Sequence, residues 1–182
     1  MKPMAGLCLL LISVLLPGLA LGDTELNFGL GFTSPVGDLA DEVNPSLVFG
    51  AGLGLDMAPK FTIGAEIWNH AFSPTPAFED VLDDVGILAM AVTAKIRFAP
   101  SAETAYVKFL IGGYRTKATM LVGEINVSGS ETNPGFGVGF GYQFFGNSPH
   151  GGFVEGVFQQ INNNAETASF MDFRGGLCLR FP

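Results

Sequence analysis

Charge is scarce in this 182-residue chain, where only 14% of residues are Asp, Glu, Lys or Arg. Bases are scarcer still, with 9 Lys and Arg against 17 Asp and Glu, a net charge of −8. No cluster of Lys and Arg exists to form a nucleic-acid footprint, so no nucleic-acid partner is expected. There are 2 cysteines, Cys8 and Cys178. If Cys8 leaves with a processed leader, no internal disulfide can form. The 2 histidines, His70 and His150, lie far apart without neighbouring Cys or His, so no zinc set is present. Long apolar runs are also missing apart from one near the N-terminus, although mean hydropathy is +0.38. Membrane helices are therefore excluded from the remainder, since each needs ~20 apolar residues in succession. What the chain does have is 48% hydrophobic residues, 17 Phe and 25 Gly. That aromatic content excludes a disordered chain.

The N-terminal run is an export signal in form. Lys2 supplies the positive start, and Leu7 to Leu16 is apolar except for Ser13. Pro17 and Gly18 then break any helix, and Ala20 and Gly22 occupy the small-residue positions of a cleavage site before Asp23. The run falls short of a spanning helix. We expect residues 1–22 to be a cleaved signal peptide and residues 23–182 to form one domain.

From Asp23 onward apolar residues recur with period two, the mark of strands with unlike faces. Leu26, Phe28, Leu30 and Phe32 share one face of the first. Leu47, Phe49, Ala51 and Leu53 share one face of the second, with Val48 breaking the pattern. The third sets Phe61, Ile63, Ala65 and Ile67 against Thr62, Gly64, Glu66 and Trp68. Further strands carry Leu88 to Phe98, Ala105 to Ile111, Phe136 to Phe144, Val154 to Gln160 and Phe173 to Phe181. Eight segments mostly of about 9–13 residues exceed the ~5–6 of soluble sheets and match the ~9–11 of a tilted membrane strand. One face is nearly uncharged throughout, and the other holds the charges and glycines. A soluble barrel would need a strongly charged outer face, so an inverted barrel, apolar outside and polar inside, fits better.

The connections alternate in length. Residues 57–59, 99–103 and 146–150 are short and each contains proline, which suits turns. Residues 33–44, 69–85, 116–133 and 162–168 are mostly longer and more polar. Met120 to Val127 inside the third of these also alternates, so strands five and six are expected to extend beyond the membrane.

On these residues the chain resembles the small eight-stranded outer-membrane barrels of the OmpA/OmpX type. The resemblance covers residues 23–182 and includes the last strand, Phe173-x-Gly175-x-Leu177-x-Leu179-x-Phe181. It implies an all-β, eight-stranded antiparallel up-and-down transmembrane barrel in the bacterial outer membrane. Short turns would face the periplasm and long loops the outside. Phe173, Leu177, Leu179 and Phe181 would form the signal read by the barrel-assembly machinery, with Pro182 after the aromatic as a departure from the pattern. Outer-membrane lipid and lipopolysaccharide become the expected surroundings. The group includes structural tethers, adhesins, narrow channels and a few lipid-modifying enzymes.

Alternation sends five acids inward, Glu25, Asp56, Glu66, Glu155 and Asp172, and five bases, Lys95, Arg97, Lys108, Arg174 and Arg180. Isolated charges in a narrow interior are costly, so balanced signs imply mutual pairing and a plugged lumen. Arg180 and Glu25 fall at the same end of strands that must meet, and we expect them to pair. Inward glycines leave room for water or for Tyr106, Tyr114, Trp68 and Arg174. Trp68 and the terminal phenylalanines also suit an interfacial aromatic girdle.

Other signals are weaker. Gly135 to Gly141 has the period of a strand face and lacks phosphate-loop spacing. Glu79, Asp80, Asp83 and Asp84 form an acidic cluster read as a solvated loop. His70 and Ser73 lack a third orienting group. No catalytic residue, cofactor or metal is expected. The expected role is structural, surface-interacting or weakly pore-forming. The alternative is a small channel for hydrophobic solutes or a lipid-modifying enzyme.

Overall fold

The computed structural model describes residues 23–101, 103–122, 125–145, 149–163 and 167–181. The expected signal peptide lies outside them. Eight antiparallel strands close on themselves in sequence order. They are β1 (Thr24–Val36), β2 (Val43–Ala58), β3 (Phe61–Pro74), β4 (Leu82–Arg97), β5 (Thr104–Val122), β6 (Ile125–Phe144), β7 (His150–Asn162) and β8 (Thr167–Phe181). One turn of helix, α1 (Leu39–Glu42), follows Gly37, whose φ of 68° admits the bend that a side chain would resist. Closure is made by β1 against β8, from Thr24↔Phe181 to Val36↔Ser169. A closed sheet leaves no free edge at barrel level.

The faces follow the period-two expectation. Leu30 and Ile111 are each 69% exposed, and Phe32, Phe49, Phe140, Phe173 and Leu177 also point outward. Glu25, Lys95, Arg97, Lys108, Glu155, Asp172 and Arg174 are buried inside. A continuous apolar outer belt around a charged interior is the inverse of a soluble barrel and the arrangement a bilayer requires.

Strand lengths differ from expectation. The strands run 13 to 20 residues, and the sheet continues through much of what reads as loop. β3 reaches Pro74, pairing Asn44↔Ser73 and Val43↔Pro74. β5 and β6 stay in register up to Val122↔Ile125, as their alternation predicts. Outward positions above the belt are polar, so the apolar signal fades while the ladder persists.

Inward glycines accommodate large rings. A Cβ on Gly135 would lie 2.6 Å from the Tyr114 ring, and one on Gly141 2.5 Å from that of Tyr106. One on Gly50 would meet the Trp68 ring at 2.7 Å. Trp68 is accordingly buried in the lumen and not in the girdle, because its position on β3 shares the inward face of Glu66 and Thr62.

Candidate functional site

Among the described residues, chemistry-bearing side chains converge in the lumen, where they stack in tiers along the barrel axis. At the short-turn end Glu25 on β1 meets Lys95 on β4, and its other oxygen accepts from Arg97 Nη2 at 3.1 Å. Arg97 also grips Asp56 with both terminal nitrogens, at 2.9 and 2.8 Å. Thr62 Oγ1 donates to Asp56 at 2.6 Å, and Asn27 Nδ2 to Glu25 at 2.8 Å. Arg180 sits at the mouth, over the Phe145 ring at 5.2 Å.

The predicted pairing of Arg180 with Glu25 is corrected in rank. The two residues are register partners, yet their charged atoms are 3.9 Å apart, whereas Arg180 Nη2 donates to Asp56 Oδ2 at 3.1 Å. Lys95 and Arg97 reach across the lumen and occupy the Glu25 carboxylate first.

The middle tier centres on Lys108 of β5. Its ammonium donates to Glu66 of β3 at 2.9 Å and to Glu155 of β7 at 2.8 Å. Tyr106 Oη donates to the other oxygen of Glu155 at 2.9 Å. Arg174 from β8 lies 3.3 Å from Glu155, 3.7 Å from Glu66 and 3.7 Å from Asp172. Its guanidinium stacks on the Trp68 ring at 4.0 Å, a cation–π contact in a dry site. All ten lumen residues named from the sequence thus fall into two linked ion-pair groups.

Above them the character changes, and here the sequence reading was incomplete. Asp172 accepts from Gln159 Nε2 at 2.6 Å, and Gln159 accepts from Tyr114 Oη at 2.9 Å. His70 Nδ1 is 3.4 Å from Asp172, and the His70 ring packs edge-on against Phe170 at 4.8 Å. Over this layer Val43, Val48, Phe72, Val85, Ile87, Ile161 and Phe170 form a buried apolar plug, with Leu39 of α1 and Leu82 packed against it. Val48 is the available sequence signal: it breaks alternation because the upper lumen is apolar. His70 faces inward with no exposure, whereas Ser73 is exposed on the opposite face of β3, so no His–Ser pair forms. The acidic residues Glu79, Asp80, Asp83 and Asp84 are exposed around the β3–β4 connection.

Between the ion-pair tiers lies a cavity of about 30 Å³, lined by Asn27, Thr62, Glu66, Lys95 and Gln143 among others. A water needs ~10–15 Å³ on this measure, so there is space here for a water or two. Among the described residues Asn27 Oδ1, Glu66 Oε1 and Gln143 Oε1 accept no hydrogen bond, and all three are acceptors that water would satisfy.

Closed antiparallel topology, an apolar outer belt and a charged, filled lumen define a small eight-stranded barrel of the outer-membrane type. No family model and no curated protein matches the sequence. Among solved structures, the chain is similar to Neisserial surface protein A, with a TM-score of 0.60, 11% identity and coverage of 88% of this chain and 99% of that one. It is similar to Ail, the attachment invasion locus protein of Yersinia pestis, with a TM-score of 0.64, 11% identity and coverage of 87% and 99%. The outer membrane protein OprG of Pseudomonas aeruginosa gives 0.58, 14%, 88% and 96%. At such identities the likeness is one of fold.

Proposed function

We propose that this protein is an outer-membrane barrel, closed to ions as folded, that acts through its loop end and not through its lumen. The observation that carries this reading is the filled interior. Two ion-pair tiers and an apolar plug occupy successive levels, with a cavity of about 30 Å³ between the tiers. A conducting pore lined by one sign of charge would advertise selectivity, whereas here each cation meets carboxylates. Burial of His70, Glu25, Glu155 and Asp172 also disfavours a rim-exposed catalytic group, and we read the chain as non-enzymatic. The fold neighbours named as a surface protein and an attachment invasion locus protein fit the same reading.

The loop end offers a surface for contact. β6 pairs with β7 only from Gly135↔Ile161 downward, while β5 continues beside it up to Ile125. Among the described residues the β6 edge over 125–134 therefore has no β7 partner, and residues 127–132 are exposed. A free edge above the membrane can receive an extended segment by main-chain hydrogen bonding.

Purified protein inserted into planar bilayers tests the closed lumen. We expect no stable open level. A large, steady single-channel conductance would overturn the reading and favour a channel. Enrichment in the inner-membrane fraction would overturn the location.

A further inference from the structure

A titratable ring stands at the boundary between the charged and the apolar halves of the lumen. Toward the loop end, the inward face of β3 carries Glu66, Trp68, His70 and Phe72 in turn, and that of β8 carries Arg174, Asp172 and Phe170. On β3, His70 is therefore the last inward side chain able to carry charge before the plug, and it is fully buried. Its ring lies parallel to that of Phe72 at 6.3 Å and edge-on to that of Phe170 at 4.8 Å.

The polar contacts of the ring are incomplete. Nδ1 stands 3.4 Å from Asp172 Oδ1, and among the described residues neither ring nitrogen nor that oxygen is hydrogen-bonded. The other oxygen of Asp172 accepts from Gln159 of β7 at 2.6 Å and has Arg174 Nε at 3.7 Å. Tyr114 of β5 donates its hydroxyl to Gln159. One level down, Glu66 and Glu155 hold Lys108 and share Arg174. On β2 and β4 the register partners of His70 are Val48 and Ile87, and on β1 the partner of Asp172 is Thr33, none of them titratable. The acids of α1, Asp41 and Glu42, are exposed at the loop end.

We infer that His70 is a proton-operated latch: the neutral ring lets the apolar plug close, and a second proton on the ring loosens the plug at the loop end while the ion-pair tiers below stay shut. A neutral imidazole carries one N–H, and Nδ1, which faces Asp172, is the nitrogen suited to hold it. The added proton goes to Nε2, which has no hydrogen-bond partner among the described residues. It also upsets a lumen in which five acids meet five bases, by adding a sixth cation. An unmatched charge in a dry interior is costly, whereas a ring that reaches water carries no such penalty. The proton therefore binds the loosened arrangement in preference, and acidification shifts the population toward it. Histidine changes charge between about pH 8 and about pH 5, a range in which most carboxylates stay ionised.

Composition supplies both the reporter and the control. Trp68 is the single tryptophan, stacked on Arg174 directly below His70, and His150 is the other histidine, exposed at the short-turn end. The test is quenching of Trp68 fluorescence by acrylamide in the full-length mature protein folded into vesicles of uncharged lipid, titrated from about pH 8 to about pH 5. Wild type is expected to quench more strongly as the pH falls and to recover on neutralisation. One proton per molecule sets the steepness, so the loosened population grows by up to about tenfold per pH unit. His150→Gln should keep this response. His70→Phe, which retains the ring stack without the nitrogens, should abolish it; should that variant fail to fold, His70→Gln removes the same proton and is expected to read the same loss. Quenching of wild type that does not change with pH would overturn the inference. So would an undiminished acid response in the His70 variants, which would assign the effect to a carboxylate. Steady conductance at about pH 8 would overturn the closed-lumen reading, whereas a pH-independent Trp68 in a non-conducting barrel would overturn the latch alone.

Discussion

Glu25 links more charged partners than its immediate neighbours on β1 suggest. Its carboxylate contacts Lys95 and Arg97 directly and has Arg180 at 3.9 Å. Among the described residues Lys95 has no other ion-pair contact, whereas Arg97 also holds Asp56. Glu25→Gln therefore strands a buried ammonium, and we expect a loss of about 3–5 kcal/mol, measured by reversible denaturant unfolding from lipid vesicles. A double-mutant cycle separates the partners. Glu25→Gln with Lys95→Met should give a large coupling energy. Glu25→Gln with Arg180→Met should couple by about 1 kcal/mol or less, since Arg180 is partly exposed and nearer Asp56. Equal coupling in the two cycles would contradict the geometry described here.

At the scale of single strands, what matters is which face meets lipid. Phe140 lies midway along the apolar stretch Phe136–Phe144 of β6 with its ring outward, 6.2 Å from that of Phe98 between centroids. Arginine at that position should cost about 2–4 kcal/mol in a bilayer if it lies near the midplane. Unfolding from vesicles with no change in stability would mean that the face is not lipid-exposed. The same strand shows how one element crosses two solvents. From Phe136 to Phe144 its outward residues are aromatic or aliphatic, and above Pro134 they are Thr132, Ser130 and Ser128. The backbone pairing with β5 is uninterrupted across that change. The β5–β6 hairpin thus needs no apolar face of its own, because β5 anchors it.

For the whole molecule, closure of the barrel and filling of the lumen are coupled. Side chains from β1, β2, β3, β4, β5, β7 and β8 meet in the ion-pair tiers, and the contacts that cross the lumen, such as Glu25–Lys95 and Arg174–Glu66, form only as the ring is shut. We expect the mature protein extracted from outer membranes to begin at Asp23, read by N-terminal sequencing. A chain beginning at Met1 would overturn the cleaved-leader reading and restore a membrane anchor as its replacement. An intact leader would also leave an apolar run beside Thr24, at the seam where β1 joins β8.

Period-two alternation alone determined the strand count, the outward and inward faces and the ten charged lumen residues. It did so because a side chain's face depends on nothing but parity along the strand. The Arg180–Glu25 neighbourhood was legible for the same reason, since closure of β8 on β1 places them opposite one another. Parity carries no information about reach across a lumen, so the dominance of Lys95 and Arg97 over Arg180 at Glu25 was decided by the tertiary structure. The same holds for Trp68, whose interior seat depends on space left by Gly50 on the neighbouring strand. It holds also for the apolar plug. Val43, Phe72 and Val85 read as parts of polar loops until the ladders of β2–β3 and β3–β4 carry them inward above the charges. Sequence patterning sees a strand while its outer face is apolar. Where that face meets water the pattern fades, and only pairing with neighbouring strands shows that the barrel, and its core, continue.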